Sequence, residues 1–175
     1  MIYKNLFSPD KLKYVTGKSR PKVGCILCAV TAGDAKVRSL EVHRSENFVV
    51  SLNLYPFNVA HLLIFPVKHV ETLKGLGKHQ IVEMYELANE AMEVIDELYS
   101  PGGYNVGFNI GACSGASIAH LHMHIVPRYD RELGFVDIVG GAKLIVEAPG
   151  ITMKKIKNAF KKRKNKEHEN AKTTR

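Results

Sequence analysis

The chain has 175 residues, 45% of them apolar and 24% charged, the balance of a globular domain large enough for one core. No apolar run approaches the roughly 18 residues a membrane helix needs, and Met1-Ile2-Tyr3-Lys4-Asn5 lacks a signal-peptide core, so a soluble cytoplasmic protein is expected. Three cysteines argue against a disulfide framework, and the net charge of +8 resides in residues 154–175, where ten Lys or Arg meet only Glu167 and Glu169.

Residues 1–22 carry Leu6, Phe7, Leu12, Tyr14 and Val15 among lysines and read as an irregular arm or short helix. Gly24-Cys25-Ile26-Leu27-Cys28 follows, a CxxC. Val37 to His43 and Asn47 to Leu52 read as strands joined by the polar turn Arg44-Ser45-Glu46. Asn53 to Asn58 is a loop punctuated by Pro56, and His61 to Pro66 a mostly buried third strand. From Lys78 to Tyr99 the spacing turns helical, with Ile81, Val82, Tyr85, Ala88, Ala91, Met92, Ile95 and Leu98 as the apolar stripe. Ser100-Pro101-Gly102-Gly103 stops that helix, and a strand from Tyr104 to Ile110 leads into the loop Gly111 to Ser117. Lys143 to Glu147 reads as a short extra strand, Ile151 to Lys164 as a basic amphipathic helix, and the last ten residues as disordered. The order β-β-β-α-β-β predicts an α+β fold with a helix across one sheet face. One domain over residues 1–150 and a basic helix and tail over 151–175 complete the organisation.

The stretch that carries chemistry is Ala119-His120-Leu121-His122-Met123-His124-Ile125-Val126-Pro127-Arg128. Three histidines alternate with apolar residues, and period two on a strand sets all three imidazoles on one face about 7 Å apart. A metal-collecting tract or an ordinary solvated strand face is the plainer alternative. A neutral imidazole is a competent nucleophile toward phosphorus near pH 7 once its other nitrogen is held as N–H by an acceptor. A backbone carbonyl on a neighbouring strand is the acceptor to look for.

These residues, from about Leu6 to Phe160, resemble the histidine-triad (HIT) nucleotide-binding superfamily. Leu6-Phe7-Ser8-Pro9, the CxxC and Gly107-Phe108-Asn109-Ile110-Gly111 before His-Leu-His-Met-His are most similar to its fragile-histidine-triad and diadenosine tetraphosphate phosphorylase branch. The chain departs from that branch after Tyr129, reading Asp130-Arg131-Glu132-Leu133-Gly134-Phe135 for Gly-Asp-x-Asn-Phe, and has Ala116 where hydrolases often carry glutamine. The resemblance implies a five-stranded antiparallel sheet with a long helix packed on it, paired across a homodimer. It implies His122 as nucleophile at an α-phosphate, His124 as leaving-group partner, and His61 as a residue positioning His122. It also implies that Asn53 and Asn109 contact substrate, and that Gly115, Ala116, Ser117 and Ile118 cradle the phosphates with the Ser117 hydroxyl assisting. Glycines at 111 and 115 would let the main chain approach closely.

The CxxC supplies half of a tetrahedral zinc site. His69 and His120 are candidate partners, with His43 as alternative, and zinc-bearing relatives such as galactose-1-phosphate uridylyltransferase use a CxxC with the first triad histidine. Structural zinc on Cys25, Cys28, His69 and His120 is therefore expected, with no organic cofactor. The implied activity is cleavage of a dinucleoside polyphosphate such as diadenosine tetraphosphate, with water or phosphate as acceptor. A phosphoramidate hydrolase and a non-catalytic nucleotide sensor are the alternatives. The basic tail reads as a solvated end in preference to a nucleic-acid or membrane-surface grip.

Overall fold

Five strands, β1 (Glu41–Arg44), β2 (Phe48–Leu52), β3 (Leu62–Pro66), β4 (Gly103–Phe108) and β5 (Met123–Arg128), form one antiparallel sheet in the order β1-β2-β3-β5-β4. Three helices accompany it, α1 (Ile26–Thr31), α2 (Lys78–Tyr99) and α3 (Pro149–Thr173). The computed structural model describes residues 21–130, 132, 145 and 147–173. The expected arm over 1–22 lies outside these residues except for its last two, and so does the strand at 143–147 apart from Ile145 and Glu147.

Alternation along the strands divides the molecule into two layers. Phe48, Val50, Leu52, Leu62, Ile64, Met123 and Ile125 point to one face, where Met84, Leu87, Ala88, Ala91, Val94 and Ile95 of α2 cover them. Val49, Leu63 and Phe65 point to the other, against Leu27, Ala29 and Val30 of α1 and Val37. The helix over 78–99 begins and ends where its spacing predicts, but its buried stripe is rotated from the expected one. Val82, Tyr85 and Leu98 are 55%, 51% and 37% exposed, while Met84 and Leu87 take the core positions. Hydrogen bonds fix this rotation at the helix start, where Ser45 and Asn47 donate to the Glu83 carboxylate at 2.6 and 2.8 Å.

The C-terminal segment departs furthest from expectation. One helix runs from Pro149 to Thr173, through most of the ten residues expected to be disordered. Ile156 and Phe160 enter the α2-side core, and Phe160 stacks on His43 of β1 with ring centroids 4.7 Å apart. His43 therefore lies away from the CxxC. Arg163 pairs with Glu93 and Glu97 of α2. Before the helix, Glu147 accepts from Tyr99 and Thr152, each at 2.6 Å, and from Lys155. Burial raises its pKa, but these donors outweigh burial and hold it below 4.5. A depressed carboxyl contributes stability above its unfolded value that is lost as pH falls through the folded one. Glu147→Gln should therefore lower the thermal midpoint at neutral pH and leave a smaller gap from the parent below pH ~4, as read by circular-dichroism melts.

Candidate active site

Of the three alternating histidines only His124 lies in the β-ladder, opposite Leu63 of β3 and Gly107 of β4. His120 and His122 precede the ladder, held where the Leu121 N–H donates to the Val70 carbonyl at 2.7 Å. The expected single row of imidazoles is thus split into two sites. His122 and His124 remain together, their rings 4.9 Å apart at 64°, whereas His120 turns toward the CxxC.

Carbonyl groups decide the tautomers, because they can only accept. His122 Nδ1 lies 2.8 Å from the His120 carbonyl, so Nδ1 carries the proton and Nε2 the lone pair. The acceptor is on the same segment, two residues back, and not on a neighbouring strand. Burial lowers the His122 pKa against the opposing effect of this bond, so the ring is neutral at pH 7.

A second chain of bonds sets His124. The Phe57 N–H donates to His61 Nδ1 at 3.1 Å, which leaves the proton of a neutral His61 on Nε2. That Nε2 lies 3.0 Å from His124 Nδ1, so His124 accepts there and holds its own proton on Nε2. The expected partnership of His61 with His122 is corrected: His61, fully buried, bonds His124. His61→Ala should lower kcat by about 100-fold with little change in KM, because His124 loses its fixed tautomer while the cleft keeps its lining. Steady-state kinetics alongside a thermal melt would measure it.

His122 and His124 line a cleft of about 320 Å³, within the range of small-ligand pockets. Asn53, Asn109, Gly115, Ala116, Ser117 and Ile118 line it too, so the expected substrate contacts converge on one place. Gly111 and Gly115 have φ of +85° and +83°, and a Cβ at either would meet nothing within 4 Å. Glycine suits both positions because the backbone there is left-handed. Tyr55, Phe57 and Leu63 also line the cleft, unanticipated from sequence. Phe57 stacks on His61 at 5.1 Å and 19°. The available signal was two aromatic residues flanking Pro56 in a loop bounded by Asn53 and Asn58. Beside the cleft a smaller apolar lobe of about 90 Å³ is lined by Ile26, Leu27, Leu40, Leu52 and Phe65, and shares Asn53, Tyr55, Leu63, Ser117 and Ile118 with it.

The second site gathers Cys25, Cys28, His69 and His120, whose ligand atoms all lie within 4.8 Å of one another. Cys25 precedes α1 and Cys28 sits in its first turn, a helical geometry the sequence reading did not anticipate. His120 Nδ1 lies 3.5 Å from both sulfurs, and His69 Nδ1 lies 3.3 Å from Cys28 Sγ. His120 Nε2 donates to the Pro66 carbonyl at 2.9 Å, which leaves the Nδ1 lone pair facing the sulfurs. His69 Nε2 is 3.6 Å from the Glu71 carboxylate. Desolvation brings the His120 pKa down to about 4, so its ring is neutral, the state a metal ligand requires. Cys113 is exposed and stands apart from this group.

The HIT domain model matches residues 35–131. The chain is 39% identical over 107 residues to a Mycobacterium tuberculosis protein named AP-4-A phosphorylase, covering 61% of this chain and 55% of that one. It is 27% identical over 103 residues to the asymmetrical bis(5'-nucleosyl)-tetraphosphatase of Schizosaccharomyces pombe, covering 59% and 57%. The chain thus spans just over half the length of these curated relatives. Among solved structures, a zinc-bound histidine triad family protein from Mycobacterium smegmatis superposes with TM-score 0.67 at 23% identity, covering 81% of this chain and 96% of that one. Among the described residues no helix is long and apolar enough to cross a membrane.

Proposed function

The chain belongs to the HIT domain family, and on that premise we propose that it cleaves a dinucleoside polyphosphate, such as diadenosine tetraphosphate, at the α-phosphate through covalent His122. The observation that carries this reading is the 2.8 Å bond from His122 Nδ1 to the His120 carbonyl, which leaves a neutral ring with its Nε2 lone pair in a ring lining the cleft.

In the first step Nε2 of His122 forms the bond to phosphorus as the bridging P–O bond breaks. The polyphosphate departs as an anion and accepts a hydrogen bond from the Nε2–H of His124, whose tautomer His61 maintains. Backbone N–H groups of Gly115 to Ile118 and the Ser117 hydroxyl stabilise the charge growing on the phosphoryl oxygens. Asn109 binds beside the phosphates, Asn53 holds the sugar, and the apolar lobe takes the base. In the second step water or phosphate attacks, the P–Nε2 bond breaks with its electron pair returning to the neutral His122 ring, and the proton of an attacking water passes to solvent. Names of relatives support a dinucleotide substrate and divide over the acceptor, one being a phosphorylase and another an asymmetrical hydrolase.

The donor set of the second site fits zinc. Bond lengths of about 2.3 Å to sulfur and 2.0–2.1 Å to nitrogen put tetrahedral sulfur and nitrogen neighbours about 3.5 Å apart, close to the 3.3 and 3.5 Å present. Cys25, Cys28, His69 and His120 would hold it in a closed structural site, where the metal would supply rigidity. The edge of β4, where Val106 is 43% exposed, supports pairing with a second copy by strand addition.

Chromatography of products from diadenosine tetraphosphate, with and without phosphate, tests the reaction. ADP with ATP appearing only in the presence of phosphate identifies a phosphorylase, and AMP with ATP in its absence identifies a hydrolase. No turnover under either condition overturns the proposal and brings forward phosphoramidates, then nucleotide binding without chemistry.

A further inference from the structure

The basic end of the chain is an ordered array, which a merely solubilising tail need not be. Ile156 and Phe160 anchor α3 in the core, and Arg163 ties it to α2. Flanking those anchors, Lys154, Lys157, Lys161 and Lys164 recur at helical spacing along one line, with Lys162 farther round the helix. The line is about 15 Å long. All five lysines are exposed. Whereas Lys155 and Arg163 pair with Glu147, Glu93 and Glu97, none of these five pairs with a described acid.

The array cannot hold phosphates of a ligand in the cleft. Ile156 and Phe160 share the sheet face of Met123 and Ile125, while His124 between those two residues points to the opposite face. A bilayer is the poorer match, because the apolar side of α3 is spent on the core and none is left to insert. We propose that the exposed face of α3 binds the phosphate backbone of duplex nucleic acid without sequence preference. The duplex presents one negative charge per about 1.7 Å of axis, more than enough for each lysine to meet a phosphate. Lysine is a point charge rather than a planar fork, which suits backbone contact over reading of base edges. The described residues of that face offer no aromatic ring for base stacking.

Fluorescence anisotropy of the full chain with a short labelled DNA duplex, and with the RNA duplex of the same sequence, tests this. Five phosphate contacts should weaken binding about 500-fold between about 50 and 200 mM salt, alike for unrelated sequences. The variant K154Q/K157Q/K161Q/K164Q should melt as the parent does and retain only about a three- to fourfold salt effect. No duplex binding at about 50 mM salt, or a variant that binds like the parent, would overturn the proposal. Tighter binding to phosphatidylserine vesicles than to either duplex would overturn it as well, in favour of a lipid surface.

Discussion

His122→Ala is expected to abolish turnover of diadenosine tetraphosphate, lowering kcat by about 10⁴-fold or more, while the dissociation constant for AMP changes by no more than about threefold. The asymmetry follows from position. The His122 ring is one lining residue among eleven in the cleft, so losing it removes little of the surface that holds a nucleotide. Among the described residues lining the cleft it is also the one imidazole with a buried Nδ1–H and a remaining lone pair on Nε2. Neither His61 nor His124 can replace it, because each spends a nitrogen on the other. Stopped assays with titration calorimetry separate the two quantities. A large loss of AMP affinity with kcat preserved would make His122 a binding residue and remove the nucleophile from the scheme.

The double variant Cys25→Ser/Cys28→Ser should lose bound zinc and melt roughly 10 °C lower, the equivalent of about 4 kcal/mol when free metal stands a thousandfold above its Kd. Its turnover should fall about 10- to 100-fold although neither cysteine lines the cleft. Two links carry the effect. His120 faces the sulfurs through Nδ1 and, through its carbonyl, fixes the His122 proton. The first turn of α1 holds Cys28 on one side and sends Ile26 and Leu27 into the apolar lobe on the other. Metal content by atomic emission and the melting curve read the first claim without reference to activity. A double variant with undiminished zinc and an unchanged melt would show that these residues do not form the site.

Particular residues show what was legible in the sequence. The strands around Val50, Ile64 and Ile125 and the helix from Lys78 to Tyr99 were visible because period two and period 3.6 are imposed by burial over many residues. The rotation of that helix was not, since Val82 and Tyr85 offered as good a stripe as Met84 and Leu87, and only packing against the sheet decides between them. α1 has six residues and no side-chain cap, too little local signal to stand out. The length of α3 is hidden by the charge of its sequence, which resembles a solvated tail, although residues 151–175 contain neither glycine nor proline to stop a helix. The site residues were named almost entirely from the triad and its resemblance. The grouping of His120 with Cys25 across 95 positions was expected; what escaped was the linkage of His61 to His124 across 63 positions and of Phe57 onto His61. Such pairings arise when strands and loops distant in sequence come together, and one-dimensional spacing holds no record of them.

The covalent role of His122 is tested most directly by stereochemistry at phosphorus. A substrate made chiral at the α-phosphorus with sulfur and an oxygen isotope would be turned over in isotopically labelled water or phosphate, and the configuration of the product determined. Each in-line displacement inverts the centre, so transfer first to His122 and then to the acceptor predicts overall retention. Inversion would mean a single direct displacement by the acceptor, and would contradict a nucleotidyl-His122 intermediate.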